Sequence, residues 1–176
     1  TVTEDDDTAS LVVSATGPLS TDEDGRSDSF DVNLGSRPVG TVTLALAVSD
    51  DSEVRVSPTT LSFDGGSWFT AKRVTVTGVD DAAVDGDAPY TVTVSVQSAD
   101  QDVPYQGLAG VSVDGSNGDG GDAAGLVIDA PAILSTSESG GASSFTVALA
   151  SQPLGSVTLG ILSGDAGEAA VSPASV

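Results

Sequence analysis

The chain resembles itself. Residues 11–61 match residues 126–176 at a constant offset of 115 without a gap, with 23 identities in 51 aligned positions. The pairs include Leu11 with Leu126, Leu19-Ser20-Thr21 with Leu134-Ser135-Thr136, Glu23 with Glu138, Phe30 with Phe145, Val32 with Val147 and Leu34 with Leu149. They continue through Val42-Thr43-Leu44 with Val157-Thr158-Leu159 and Val56-Ser57-Pro58 with Val171-Ser172-Pro173. A fixed period of this kind marks a folding unit used more than once. The 176 residues then divide into a tail of a preceding repeat at 1–10, a complete repeat at 11–125 and the N-terminal part of the next at 126–176. The expectation is a window onto a longer tandem array.

Inside the repeat the apolar residues alternate with period two. Phe30, Val32 and Leu34 share one face, as do Val42, Leu44, Leu46 and Val48, then Val74 and Val76, and Val92, Val94 and Val96. Their neighbours are mostly Thr, Ser, Asp and Asn, and Gly, Pro, Asp and Ser clusters separate the runs. Alternation at this spacing is the pattern of half-buried strands, and no window carries a 3.6-residue period. Leu, Ile, Val and Phe together make 44 residues, enough for a core that is lean in aromatics. The fold class expected is all-β, a series of immunoglobulin-like β-sandwiches of seven or eight strands per repeat. Trp68, the single Trp, could serve as a platform for a sugar ring, but packing at a sandwich edge is the stronger reading.

Charge narrows the function. Five basic residues stand against 26 acidic ones, for a formal net charge of -21. Such a chain cannot neutralise a row of phosphates, so nucleic acid is excluded as a partner. Cys, His and Met are absent, which removes thiolate catalysis, zinc-thiolate sites and the usual general base. The expectation is a protein that is not an enzyme. No apolar run is long enough to span a bilayer, so no membrane insertion is expected from this segment.

The acids bunch at the ends of the expected strands: Glu4-Asp5-Asp6-Asp7, Asp22-Glu23-Asp24, Asp50-Asp51, Asp80-Asp81 with Asp85 and Asp87, and Asp114 with Asp119 and Asp122. In a sandwich the turns gather at two apices, so distant groups can meet. Two unit charges about 5 Å apart repel by roughly 3 kcal/mol at an effective dielectric of about 20. Several such pairs rival the whole stability of a domain, about 5 to 15 kcal/mol. Either the groups stay apart in water, as on the surface of a protein adapted to high salt, or a cation holds them together. Six to eight oxygens from short Asp side chains in Gly-rich turns suit Ca2+ better than Mg2+.

The stretch Val79-Asp80-Asp81-Ala82-Ala83-Val84-Asp85-Gly86-Asp87-Ala88-Pro89-Tyr90-Thr91-Val92 resembles the Asp-Asp…Glu…Glu-x-Phe segment of Calx-beta domains. These are Ca2+-binding sandwiches of sodium-calcium exchangers and large bacterial surface proteins. The resemblance implies Ca2+ as cofactor, with Glu23 as the early ligand glutamate beside Asp80, Asp81, Asp85 and Asp87. It implies Asp114, Asp119 and Asp122 as the closing acidic run. Glu4, Asp5, Asp6 and Asp7 would close the preceding unit, and Glu138 would open the site of the next. Two departures stand out: the family's second Glu falls on Ala88, and its compact terminal Asp cluster is spread over Asp114 to Asp122.

The function the resemblance implies is a structural Ca2+-binding segment of a long bacterial adhesin or matrix protein, extracellular or on the cell surface, acting as a spacer stiffened by Ca2+. Its partners would be neighbouring repeats of the same chain and other copies in a homopolymer. A self-assembling extracellular filament or surface layer is one alternative. Spacer repeats attached to a secreted enzyme are another. Residues 126–176 lack counterparts of Val74, Val76, Val92, Val94, Val96, Val111 and Val113, so their apolar face is expected to need strands from elsewhere.

Overall fold

The computed structural model describes residues 7–176. Glu4, Asp5 and Asp6 lie outside the described residues. The chain forms two compact units, one running to Asp81 and resuming over Gly86–Gly121, the other made of Ala82–Asp85 and Asp122–Val176.

The first unit is an all-β sandwich. One sheet places β1 (Leu11–Ser14), β3 (Ser27–Leu34), β7 (Lys72–Gly78) and β5 (Val54–Ser57) side by side in that order. The other runs β2 (Leu19–Asp22), β9 (Val111–Gly118), β8 (Ala88–Ala99), β4 (Val42–Val48) and β6 (Thr60–Phe63). All pairs are antiparallel except β2 with β9, which run parallel from Leu19 opposite Gly115 to Asp22 opposite Gly118. Nine strands are therefore present where the periodicity suggested seven or eight. The excess comes from short strands of four residues, β1, β2, β5 and β6, in which too few alternations accumulate to be seen.

The alternation predicts the core well. Phe30, Val32, Leu34, Val42, Leu44, Val74, Val76, Val92 and Val94 are all buried and belong to one cluster drawn from both sheets. At about 25 cal/mol per Å2 of apolar surface, this burial is the main favourable term of the fold. Val48, Val96 and Val111 are only half-buried at the margins. Trp68 packs against the core edge, its carbonyl accepting the Leu34 N–H at 3.0 Å. Between β8 and β9 a single helical turn, α1 (Val103–Gln106), carries Tyr105 into the core. The Tyr105 hydroxyl donates to Ser36 O at 2.7 Å, and buried Asp102 accepts the Val39 N–H at 2.6 Å. These bonds close the end of the sandwich at which β3 finishes.

The second unit holds a hairpin of β10 (Leu126–Asp129) and β11 (Thr146–Leu149). Its register, Leu126 opposite Leu149 and Ile128 opposite Val147, is that of Leu11 opposite Leu34 and Val13 opposite Val32, displaced by the offset of 115. The Ala150 N–H donates to Gly125 O as the Gly35 N–H donates to Ser10 O, both at 2.9 Å. Strand pairing thus begins one residue ahead of the boundaries read at 11 and 126. None of residues 126–176 is fully buried. No helix among the described residues is long and apolar enough to cross a membrane.

Candidate metal centre

The acidic turns of the first unit gather at the end of the sandwich where β2, β7 and β9 finish and where β3, β5 and β8 begin. Strand pairing dictates this. Because β2 and β9 are parallel, Asp22 and Gly118 leave the sheet together, and the Glu23 N–H extends the ladder by donating to Gly118 O at 3.0 Å. The β2–β3 turn is tight: Gly25 N–H donates to Asp22 O, Arg26 N–H to Asp22 Oδ1, and Gly25 has φ +92. On the other sheet β7 ends at Gly78 opposite Val54, and the Val79 N–H donates to Glu53 O at 2.8 Å. Asp80 follows at once.

The consequence is that Glu23, only 7% exposed, and Asp80, which is exposed, bring carboxylate oxygens within 4.8 Å of each other. Two carboxylates at that spacing repel unless water or a cation lies between them. Glu23 is tied to β9 through its backbone N–H, and the residue is buried. Around the pair, Asp119 accepts the Gly86 N–H through both oxygens at 2.9 and 3.1 Å. The Asp24 carboxylate lies against Gly120 and Gly121, and Asp87 Oδ1 lies against Gly118. Of the five basic residues, Arg73 is paired with Asp31 at 3.2 Å, and Lys72 stands over the Phe63 ring, donating to Ser62 O. Arg37 lies beside Gly65, following β3 at the opposite end. Only Arg26 and Arg55 remain on elements near the acidic end.

Beneath the carboxylates is a buried polar layer that the sequence reading did not single out. Asn117, 1% exposed, accepts the Thr21 hydroxyl at 2.8 Å and donates through Nδ2 to Glu53 Oε2 at 3.3 Å. It ties β2, β9 and the β4–β5 turn into one platform. Glu53 had a visible signal, since it matches Glu168 in the internal alignment. Asn117 had none, because its counterpart would fall beyond Val176.

Asp81 is exposed next to Asp80. Asp114 is not in the terminal loop where the sequence placed it; it sits within β9, opposite Thr91, whose hydroxyl donates to Asp114 Oδ1 at 3.0 Å. The reason is that the Gly-rich stretch after it stays in strand. Gly115 lies under the Tyr90 ring, where an added Cβ would come within 2.5 Å of the ring. Asp85, Asp122 and Glu138 belong to the second unit, Asp122 directly after Gly121 in the chain. Asp7 is exposed near the start of the described residues. Asp50 is outside the pair; its carboxyl is held below the ordinary range by the Ser52 hydroxyl and by the Ser52 backbone N–H.

No family model and no curated protein matches the chain. Among solved structures it is similar to SSP-19, an MSP-domain-like protein of Caenorhabditis elegans, at 15% identity and TM-score 0.39, over 57% of this chain and 94% of that one. It is similar to the Escherichia coli chaperone DraB at 13% identity and TM-score 0.41, over 62% and 54%. The class 5 fimbriae chaperone CfaA gives 11% identity and TM-score 0.43, over 70% and 63%. Likeness at this level carries no functional argument, and the sandwich described above stands on its own strand order and core.

Proposed function

We propose that this chain is a non-catalytic, Ca2+-binding structural segment of a long extracellular or cell-surface protein, built from tandem sandwiches of Calx-beta-like type. The observation that carries the proposal is the approach of buried Glu23 to Asp80 within 4.8 Å, at an end of the sandwich where acids far outnumber bases. A Ca2+ ion there would convert repulsion into attraction, taking oxygens from Glu23, Asp80 and Asp81. Asp119, which follows β9 and accepts the Gly86 N–H, is a further carboxylate of this unit at the same end. Asn117 and Glu53 would hold the floor of the site. The resulting role is mechanical: each ion stiffens the turns at one end of a sandwich, and a chain of such units keeps its length.

Thermal melts at fixed ionic strength, in Ca2+ and in chelator, test the reading. A ligand that binds only the folded state adds about 2.7 kcal/mol at 100 times its dissociation constant, which raises the melting temperature by several degrees for a domain of this size. Equal melting temperatures in the two buffers would assign the acidity to solvation in a salty medium instead.

A further inference from the structure

Among the described residues, the second unit carries the inner-face pattern that other strands cover in the first unit, and here that pattern is left open. Phe145, Val147 and Leu149 alternate on β11 as Phe30, Val32 and Leu34 alternate on β3, at the same offset of 115. In the first unit those three are 2%, 0% and 0% exposed. They are covered because β7 pairs along β3, with Val74 opposite Phe30, and because the facing sheet closes over both. In the second unit their counterparts are only half-buried, and Val157, counterpart of the fully buried Val42, is 49% exposed. Among the described residues β11 pairs with β10 alone, so its other edge presents open N–H and C=O groups. An open edge beside an apolar face is a template for strand addition.

We propose that this edge and face form a docking site for a polypeptide segment with the sequence character of residues 62–125. A strand like β7 adds antiparallel to β11, with the equivalent of Val74 opposite Phe145, and strands like β8 and β9 close over Phe145, Val147 and Leu149. The first unit identifies this occupant, since there the same residue types in the same hairpin register are covered by that segment. A second copy of the chain is a poorer occupant, because its β7 is already paired on both edges, with β3 and β5. The proposal rests on the tandem-repeat reading and extends it to a specific surface and register.

The test appends residues 62–125 after Val176, the position equivalent to Leu61, to the otherwise intact chain. A control extension carries Val74→Asp and Val76→Asp in the appended copy. Hydrogen exchange of the Thr146–Leu149 amides is followed together with the sedimentation behaviour. The expected result is a gain in protection at β11 of about 100-fold or more, toward that of β3, in the extended chain but not in the control. Unprotected β11 amides in the extended chain overturn the proposal. So does strong protection of β11 in the unextended chain, whether by self-folding or by pairing in a dimer. The Ca2+ response of the first unit is read separately in the same samples, so loss of that response removes the metal reading and leaves the docking result intact.

Discussion

At the scale of single residues, two glycines admit close contacts at the acidic end. Gly78 closes β7 under the Asp22 carbonyl, and a Cβ there would lie 2.1 Å from Asp22 O and 2.5 Å from Asn117 Oδ1. Both obstacles are held in place, one by backbone and one by the buried amide network. Gly78→Ala is therefore expected to cost about 1–3 kcal/mol, as overpacking does, measured as a fall in the urea midpoint without change of slope. Tyr90 lies over Gly115, and its hydroxyl is pushed above the ordinary tyrosine range, chiefly by burial, with a smaller push from the charge of Asp28. The Thr21 hydroxyl works the other way and does not prevail. A raised value means that the fold keeps this proton longer than the unfolded chain does. The contribution is complete below about pH 10 and is lost as pH rises through the folded value. Tyr90→Phe should accordingly flatten part of the decline in melting temperature above pH 10, and an unchanged alkaline profile would remove Tyr90 from it.

At the scale of elements, the parallel pairing of β2 with β9 is what makes a site conceivable. An antiparallel β2 would have sent Glu23 to the end occupied by Tyr105. Parallel pairing puts it beside the loop after β9, while β7, entering between β3 and β5, delivers Asp80 to the same end. The sign of a Glu23→Gln substitution then separates coordination from solvation. Without Ca2+ the change removes a buried negative charge facing Asp80, so the melting temperature should rise or hold. With Ca2+ the same change removes a ligand, so the stabilising increment seen for the unaltered protein should shrink or vanish. An increment of equal size in both proteins would show that Glu23 does not take part.

At the scale of the whole molecule, a net charge of -21 on 176 residues imposes self-repulsion that favours expansion. Monovalent salt shortens the screening length from about 30 Å at 0.01 M to about 3 Å at 1 M. In chelator, the melting temperature is expected to climb across that range, most steeply at the low end. With saturating Ca2+ the climb should be shallower, because the closest charges are already neutralised. Parallel salt titrations with and without Ca2+ would check this, and two superimposable curves would leave all the acidity to general screening.

Much was legible in the sequence because it depends on local periodicity and on chain identity. Alternating Phe30, Val32 and Leu34 can bury a face only as a strand, and the gapless offset of 115 announces a second copy of the first hairpin. Bunched Asp and Glu beside Gly in turns likewise reveal where repulsion must be managed. Partner choice was not legible, since a period of two says which face is inward and nothing about which strand lies alongside. That β2 runs parallel to β9, that Asp114 stays in strand because Gly115 fits beneath Tyr90, and that Asn117 joins Thr21 to Glu53 across 96 and 64 residues of chain were decided only when both sheets closed on one core. The meeting of Glu23 with Asp80 belongs to this second class, because carboxylates far apart in the chain acquire a common position only through the hydrogen-bonded ladders that carry them there.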